Sequence, residues 1–199
     1  MSAQASQRRI LVVQGHPDNA HQHLCHALAG AYLEGARAAG HVVEVVEPAL
    51  LHLPLLTSQE EWQGPASSAV VTAQEAIARA QHLVFIYPLW LGDMPAMLKG
   101  FLEQVARPGF AINPASRNPL RAGLLRGRSA RLVVTMGMPA LAYRWLYGAH
   151  SIRLMRRNIL GFAGIAPVRS TLVGGVGARD PAQIECWCTR LRTMGAAAQ

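Results

Sequence analysis

The chain has 199 residues, the size of one α/β domain, and 51% of them are hydrophobic, which excludes a disordered segment and allows a sizeable core. No apolar run approaches the roughly 18 residues that span a bilayer, and residues 1–9 lack a signal-peptide core, so a cytoplasmic protein without membrane insertion is expected. The net charge of +8 and pI near 10.4 favour anionic partners, but the basic residues form no block of five or more and no nucleic-acid motif accompanies them, so no nucleic-acid partner is expected.

Residues 9–15 begin the chain's order with a continuous apolar run, the mark of a strand buried on both faces in a parallel sheet. A turn at His16, Pro17, Asp18 and Asn19 leads to a helix predicted over residues 20–39 and closed by Gly40. Residues 41–47, rich in valine, are a second strand. Residues 48–65 are expected to be irregular, and their leucines and Trp62 mark either a functional loop or a packed surface segment. A helix over 67–80 precedes a third buried strand at 82–87, stopped by Pro88. Pro95 suits the first turn of a helix over 95–106, where a missing N–H costs nothing. A strand at 131–135, a helix at 145–160 with Gly161 near its end, a strand at 168–173 and a helix at 181–194 complete the series.

Five βα repeats imply right-handed crossovers and a doubly wound parallel sheet with helices on both sides. The expected fold is flavodoxin-like, strand order 2-1-3-4-5, with residues 1–199 as a single domain. Ligands in such sheets bind beyond the carboxyl ends of the strands where the order reverses, here between the first and third.

Three loops are therefore the candidate site. The first carries His16, His21, Gln22 and His23 into a helix N-terminus, where free N–H groups and the helix dipole attract an anion. The second carries Pro88, Leu89, Trp90, Leu91 and Gly92, a stiff apolar surface on which a flat heteroaromatic ring can lie. The third carries Thr135, Met136, Gly137 and Met138, followed by Tyr143 and His150, a phenol and an imidazole that can donate hydrogen bonds. Walker, GxGxxG, GxSxG and HExxH motifs are missing. The histidines near Cys25 lack a completing ligand set, and Cys186 and Cys188 are one residue apart, so no metal is expected. Few acids and no evident triad point to a cofactor that carries its own chemistry.

These segments resemble the NAD(P)H:quinone oxidoreductase family. The likeness rests on residues 10–15 followed by His16 and Pro17, and above all on the run from Tyr87 to Phe101. It spans most of the chain in the right order. That family has the flavodoxin-like fold and includes dimeric quinone reductases and ancillary subunits of bacterial potassium-efflux systems. The resemblance implies bound FAD, with FMN as the alternative, NAD(P)H as co-substrate, a quinone-like acceptor and a homodimer. It implies His16 near the flavin phosphates, Pro88 to Leu91 under the isoalloxazine ring and Thr135 to Met138 along its pyrimidine edge. Tyr143 and His150 resemble the pair that assists hydride transfer, with one residue inserted between them. Glu103 matches a glutamate near the adenine end of FAD. The chain departs from the family with His21 and His23 in place of serine and asparagine, Leu91 in place of an aromatic, and Met138 in place of a second glycine. The alternative implied by the same likeness is a regulatory nucleotide-sensing subunit docked on a potassium-efflux antiporter.

Overall fold

The computed structural model describes residues 7–118, 121–177 and 180–199. The strands are β1 (Arg9–Gln14), β2 (Val42–Val46), β3 (His82–Pro88), β4 (Ser129–Thr135) and β5 (Val168–Val173). They pair in parallel in the order β2-β1-β3-β4-β5, the arrangement expected from the alternating pattern. The register sets Val12 beside Val45 on one side and Val84 on the other.

Successive residues of a strand face opposite sides, so the continuous apolar runs feed two cores. Ile10, Val12, Val84, Ile86 and Val133 face a layer formed by α1 (Leu24–Ala38) and α7 (Pro181–Ala196). Leu11, Val13, Leu83, Phe85, Leu132 and Val134 face the other layer, with α3 (Ser68–Arg79) and α4 (Ala96–Val105). The two helices of the first layer touch backbone to backbone. A Cβ on Gly35 would lie 2.0 Å from the Arg192 carbonyl oxygen, and one on Gly195 would lie 2.1 Å from that of Tyr32. Both positions therefore require glycine.

Several predicted boundaries move. The first helix begins at Leu24 rather than residue 20, because Ala20, His21 and His23 are held by hydrogen bonds to the Asp18 carboxylate. The connection at 48–65 contains a 3₁₀ turn (Pro48–Leu50) and a short helix α2 (Gln59–Gln63) capped by Ser58. Its carbonyls are gathered by buried Arg107, whose Nη1 donates to Glu61 O at 2.6 Å and Gly64 O at 3.1 Å. The single helix predicted over 145–160 is replaced by α5 (Ala140–Trp145), α6 (His150–Arg153) and a π-helical stretch (Leu154–Leu160). Gly148 and Ala149, at φ 61° and 48°, break the helix between α5 and α6. No described helix is long and apolar enough to cross a membrane.

Candidate functional site

Topology brings the ends of β1, β3 and β4 together. Gly15 N donates to Ile86 O at 2.7 Å, and Leu89 N donates to Thr135 O at 2.8 Å, so each of the three loops starts from a fixed point. A cavity of about 290 Å³ lies between them, lined by His16, His23, Leu24, Cys25, Pro88 to Trp90, Thr135 to Gly137 and Val176.

One end of this cavity is built from imidazoles. His16 is buried and stacks on His23 with ring centroids 3.9 Å apart, and His26 lies 5.5 Å from His16. Asp18 organises the turn: its carboxylate accepts from His23 Nε2 at 2.7 Å, from His21 Nδ1 at 3.0 Å and from Ala20 N at 2.8 Å. These bonds hold the Asp18 carboxyl well below the usual range, His23 contributing most. Burial, reinforced by repulsion from His23, lowers the proton affinity of both His16 and His26. The first turn of α1 carries no acidic residue. The helix N-terminus and the rings of His16, His23 and His26 thus put hydrogen-bond donors and a positive dipole end at this side of the cavity, features that suit an anion. His21 is 79% exposed at its side chain and does not line the cavity, and neither does Gln22.

The other end is aromatic and rigid. Trp90 meets His16 edge to face at 5.9 Å. The hairpin from Trp90 to Asp93 is closed by Trp90 N to Asp93 O at 2.8 Å and Asp93 N to Trp90 O at 3.0 Å. Leu91 and Gly92, at φ 48° and 85°, form its two-residue turn, with both central residues left-handed as in a type I′ turn. Leu91 is 108% exposed at the tip. Asp93 locks the hairpin to the rest of the molecule, since its Oδ1 accepts from Met94 N at 2.7 Å and from Ser151 Oγ at 2.5 Å. Met138, partly buried, packs against the core, and its carbonyl accepts from Gly175 N.

Tyr143 and His150 separate. Tyr143 is 1% exposed, and its hydroxyl makes no well-formed hydrogen bond but faces the Ser151 region. Burial raises its pKa. His150 is exposed at the start of α6 and lines a second cleft, of about 450 Å³, on the other side of the hairpin. Glu103 lies on neither: it pairs with Lys99 and lines an apolar cavity with Trp62 and Phe162. Ser151 and Asp93 are site-forming residues that sequence reasoning missed. Their bond joins positions 58 apart, and no local pattern announces it.

Chemically, the larger arrangement offers an anion site at a helix N-terminus, an apolar platform beside it and a hydrogen-bonding rim. Such a site fits a flat ring carrying a phosphate. Over the described residues, no group of three His, Cys, Asp or Glu side chains is arranged to hold a metal ion.

Residues 8–193 match the family model described as flavodoxin-like fold. The chain is 28% identical over 150 residues to NAD(P)H dehydrogenase [quinone] 1 from Rattus norvegicus, covering 71% of this chain and 54% of the rat protein. It therefore spans about half the length of that relative. Over 75 residues it is 36% identical to FMN-dependent NADH:quinone oxidoreductase from Ruegeria pomeroyi, covering 37% of this chain and 35% of the relative. Among solved structures, NAD(P)H:quinone oxidoreductase from Methanothermobacter marburgensis superposes with a TM-score of 0.81 at 26% identity, covering 96% of both chains.

Proposed function

Because the chain belongs to the flavodoxin-like fold family, we propose that it is a flavin-dependent NAD(P)H oxidoreductase that reduces quinone-like acceptors in two ping-pong half-reactions. The observation that carries this reading is the 290 Å³ cavity at the switch between β1 and β3, with imidazoles and a helix N-terminus at one end and Trp90 at the other. The names of the relatives and of the similar solved structure point the same way. When bound, the flavin would supply the hydride acceptor and donor chemistry that the side chains lack.

The chain's own residues bind and orient. His16, His23 and His26 would meet the phosphate, and the hairpin with Trp90 and Leu91 would support the ring. The backbone of Gly137 borders the cavity without side-chain obstruction. His150, exposed on the neighbouring cleft, would donate a hydrogen bond to the acceptor, and Tyr143 would support it from below through the Ser151 region. Of the two flavins, FMN is the better fit. Glu103, the residue expected at an adenine end, borders a separate cavity and is already paired with Lys99. We take residues 1–199 as one functional unit, cytoplasmic and dimeric.

The test is titration of flavin-free protein with FMN and with FAD, followed by stopped-flow reduction with NAD(P)H and reoxidation by a soluble quinone. At least one flavin should bind with a perturbed visible spectrum, and the bound flavin should cycle. Failure to bind either flavin would remove the enzymatic reading.

A further inference from the structure

The cleft of about 450 Å³ beyond the hairpin is cationic in an unusual way. It runs between Leu91 and Gly92 at the hairpin tip and the face of α6 and the π-helical stretch that carries His150, Arg153 and Arg157. Arg153 and Arg157 are exposed, and neither makes a hydrogen bond or ion pair with a described residue. Their four-residue spacing places two like charges on neighbouring turns, which repel. Asp93 is the one carboxylate lining the same cleft; its Oδ1 accepts from Ser151 Oγ and Met94 N, and its single negative charge is outweighed by the two guanidinium groups.

The stretch of sequence that carries the two arginines adds no further negative charge. No Asp or Glu occurs from residue 104 to 179, while twelve of the chain's 19 basic residues fall there. Some arginines of this region are used structurally: Arg107, Arg126 and Arg128 donate to backbone carbonyls, and Arg131 donates to Thr171 Oγ1. Arg153 and Arg157 have no such employment, and they face a cavity beside the candidate ring platform.

We propose that His150, Arg153 and Arg157 form an oxyanion subsite for the substrate that meets the hairpin tip. The inference deepens the oxidoreductase reading and rests on it. The oxyanion has two chemical sources: the 2′-phosphate of NADPH, or an acidic group carried by an aromatic acceptor. Guanidinium groups suit either, because their planar donors match phosphate, sulfonate and carboxylate oxygens. A neutral, lipid-like quinone would leave both cations unpaired and is not the preferred acceptor.

The test uses the purified flavin-loaded protein and equilibrium binding, so it does not depend on turnover. Isothermal titration compares NADP⁺ with NAD⁺, and 1,2-naphthoquinone-4-sulfonate with 1,2-naphthoquinone. The wild type should prefer the anionic member of at least one pair by roughly tenfold at low salt, the preference shrinking as ionic strength rises. Arg153→Gln combined with Arg157→Gln should abolish that preference. Arg37→Gln combined with Arg190→Gln removes the same charge from helices on the opposite face of the sheet and should leave the preference in place. Loss in the nucleotide pair assigns the subsite to the 2′-phosphate, and loss in the quinone pair assigns it to the acceptor. No preference in either pair, a preference that survives the Arg153 and Arg157 substitutions, or an equal loss in the Arg37 and Arg190 variant overturns the proposal. A separate turnover assay with NADH and neutral 1,2-naphthoquinone reports on the oxidoreductase reading, so failure of one is distinguishable from failure of the other.

Discussion

Leu91 holds a conformation that leucine disfavours. Its φ of 48° is in the left-handed region, where a Cβ crowds the following carbonyl and costs about 1–2 kcal/mol. The two-residue turn that it shares with Gly92 prefers Asn-Gly. A fully exposed leucine in such a place has no packing to offset the strain, which makes Leu91 a candidate for contact with a ligand. Leu91→Asn should therefore raise stability by about 1 kcal/mol, or roughly 2–4 °C in Tm for a chain of this size. The same variant should bind flavin more weakly, because the apolar tip of the platform is lost. Thermal unfolding of the flavin-free protein and flavin titration on the same sample read both effects. An unchanged Tm would mean that the turn is not strained as described.

Among the elements, the connection between β2 and α3 depends on one buried side chain. Arg107 is 6% exposed and donates to carbonyls of Gln104, Glu61, Trp62 and Gly64 and to Gln104 Oε1. The carbonyls of residues 61–64 close the C-terminal end of α2, where a cation is favoured by the helix dipole. Arg107→Met would keep much of the volume but leave several carbonyls without a donor. A loss of roughly 2–4 kcal/mol is expected, with the connection at 48–66 becoming the first site of limited proteolysis. Denaturant titration and proteolytic mapping check this; a variant as stable as wild type would show that water replaces the guanidinium without cost.

For the molecule as a whole, pH reads through a buried histidine at the amino edge of the sheet. His82 is 3% exposed, its Nδ1 is 2.8 Å from Ser129 Oγ, and burial together with Arg131, Arg8 and Arg169 lowers its pKa from 6.5 to about 4. The folded state thus binds this proton less readily than the unfolded chain. Stability is fully present above about pH 6.5 and is lost as pH falls toward 4, by up to about 3 kcal/mol. His16 and His26 shift in the same direction and add to the slope. His82→Asn should flatten the stability profile between those pH values, measured by urea unfolding at a series of pH; an unchanged slope would assign the acid sensitivity elsewhere. Subunit assembly belongs to the same scale. Leu141, Trp145 and Leu146 are 69%, 82% and 81% exposed on and just after α5, a patch that a lone domain rarely presents. Light scattering at micromolar concentration should give a dimer, and Trp145→Lys combined with Leu146→Glu should give a monomer; a monomeric wild type contradicts the assignment.

The parallel sheet and the position of the three loops were legible in the sequence alone, because burial on both faces demands unbroken apolar runs such as residues 10–13 and 83–86, and because βα alternation permits few topologies. The imidazole-lined end of the cavity was legible in part, through the histidines after β1. What only the tertiary structure decided were the contacts between distant residues. It stacked His16 on His23, joined Ser151 to Asp93, set Arg107 under residues 61–64, buried Tyr143 and turned Glu103 toward a separate cavity. It also broke the helix expected at 145–160, through two left-handed residues inside an apolar periodic stretch. The reason is physical. Periodicity records which face of an element is buried, a property of neighbours in sequence. Which polar group meets which depends on how elements cross, and that geometry is set by packing of the whole molecule.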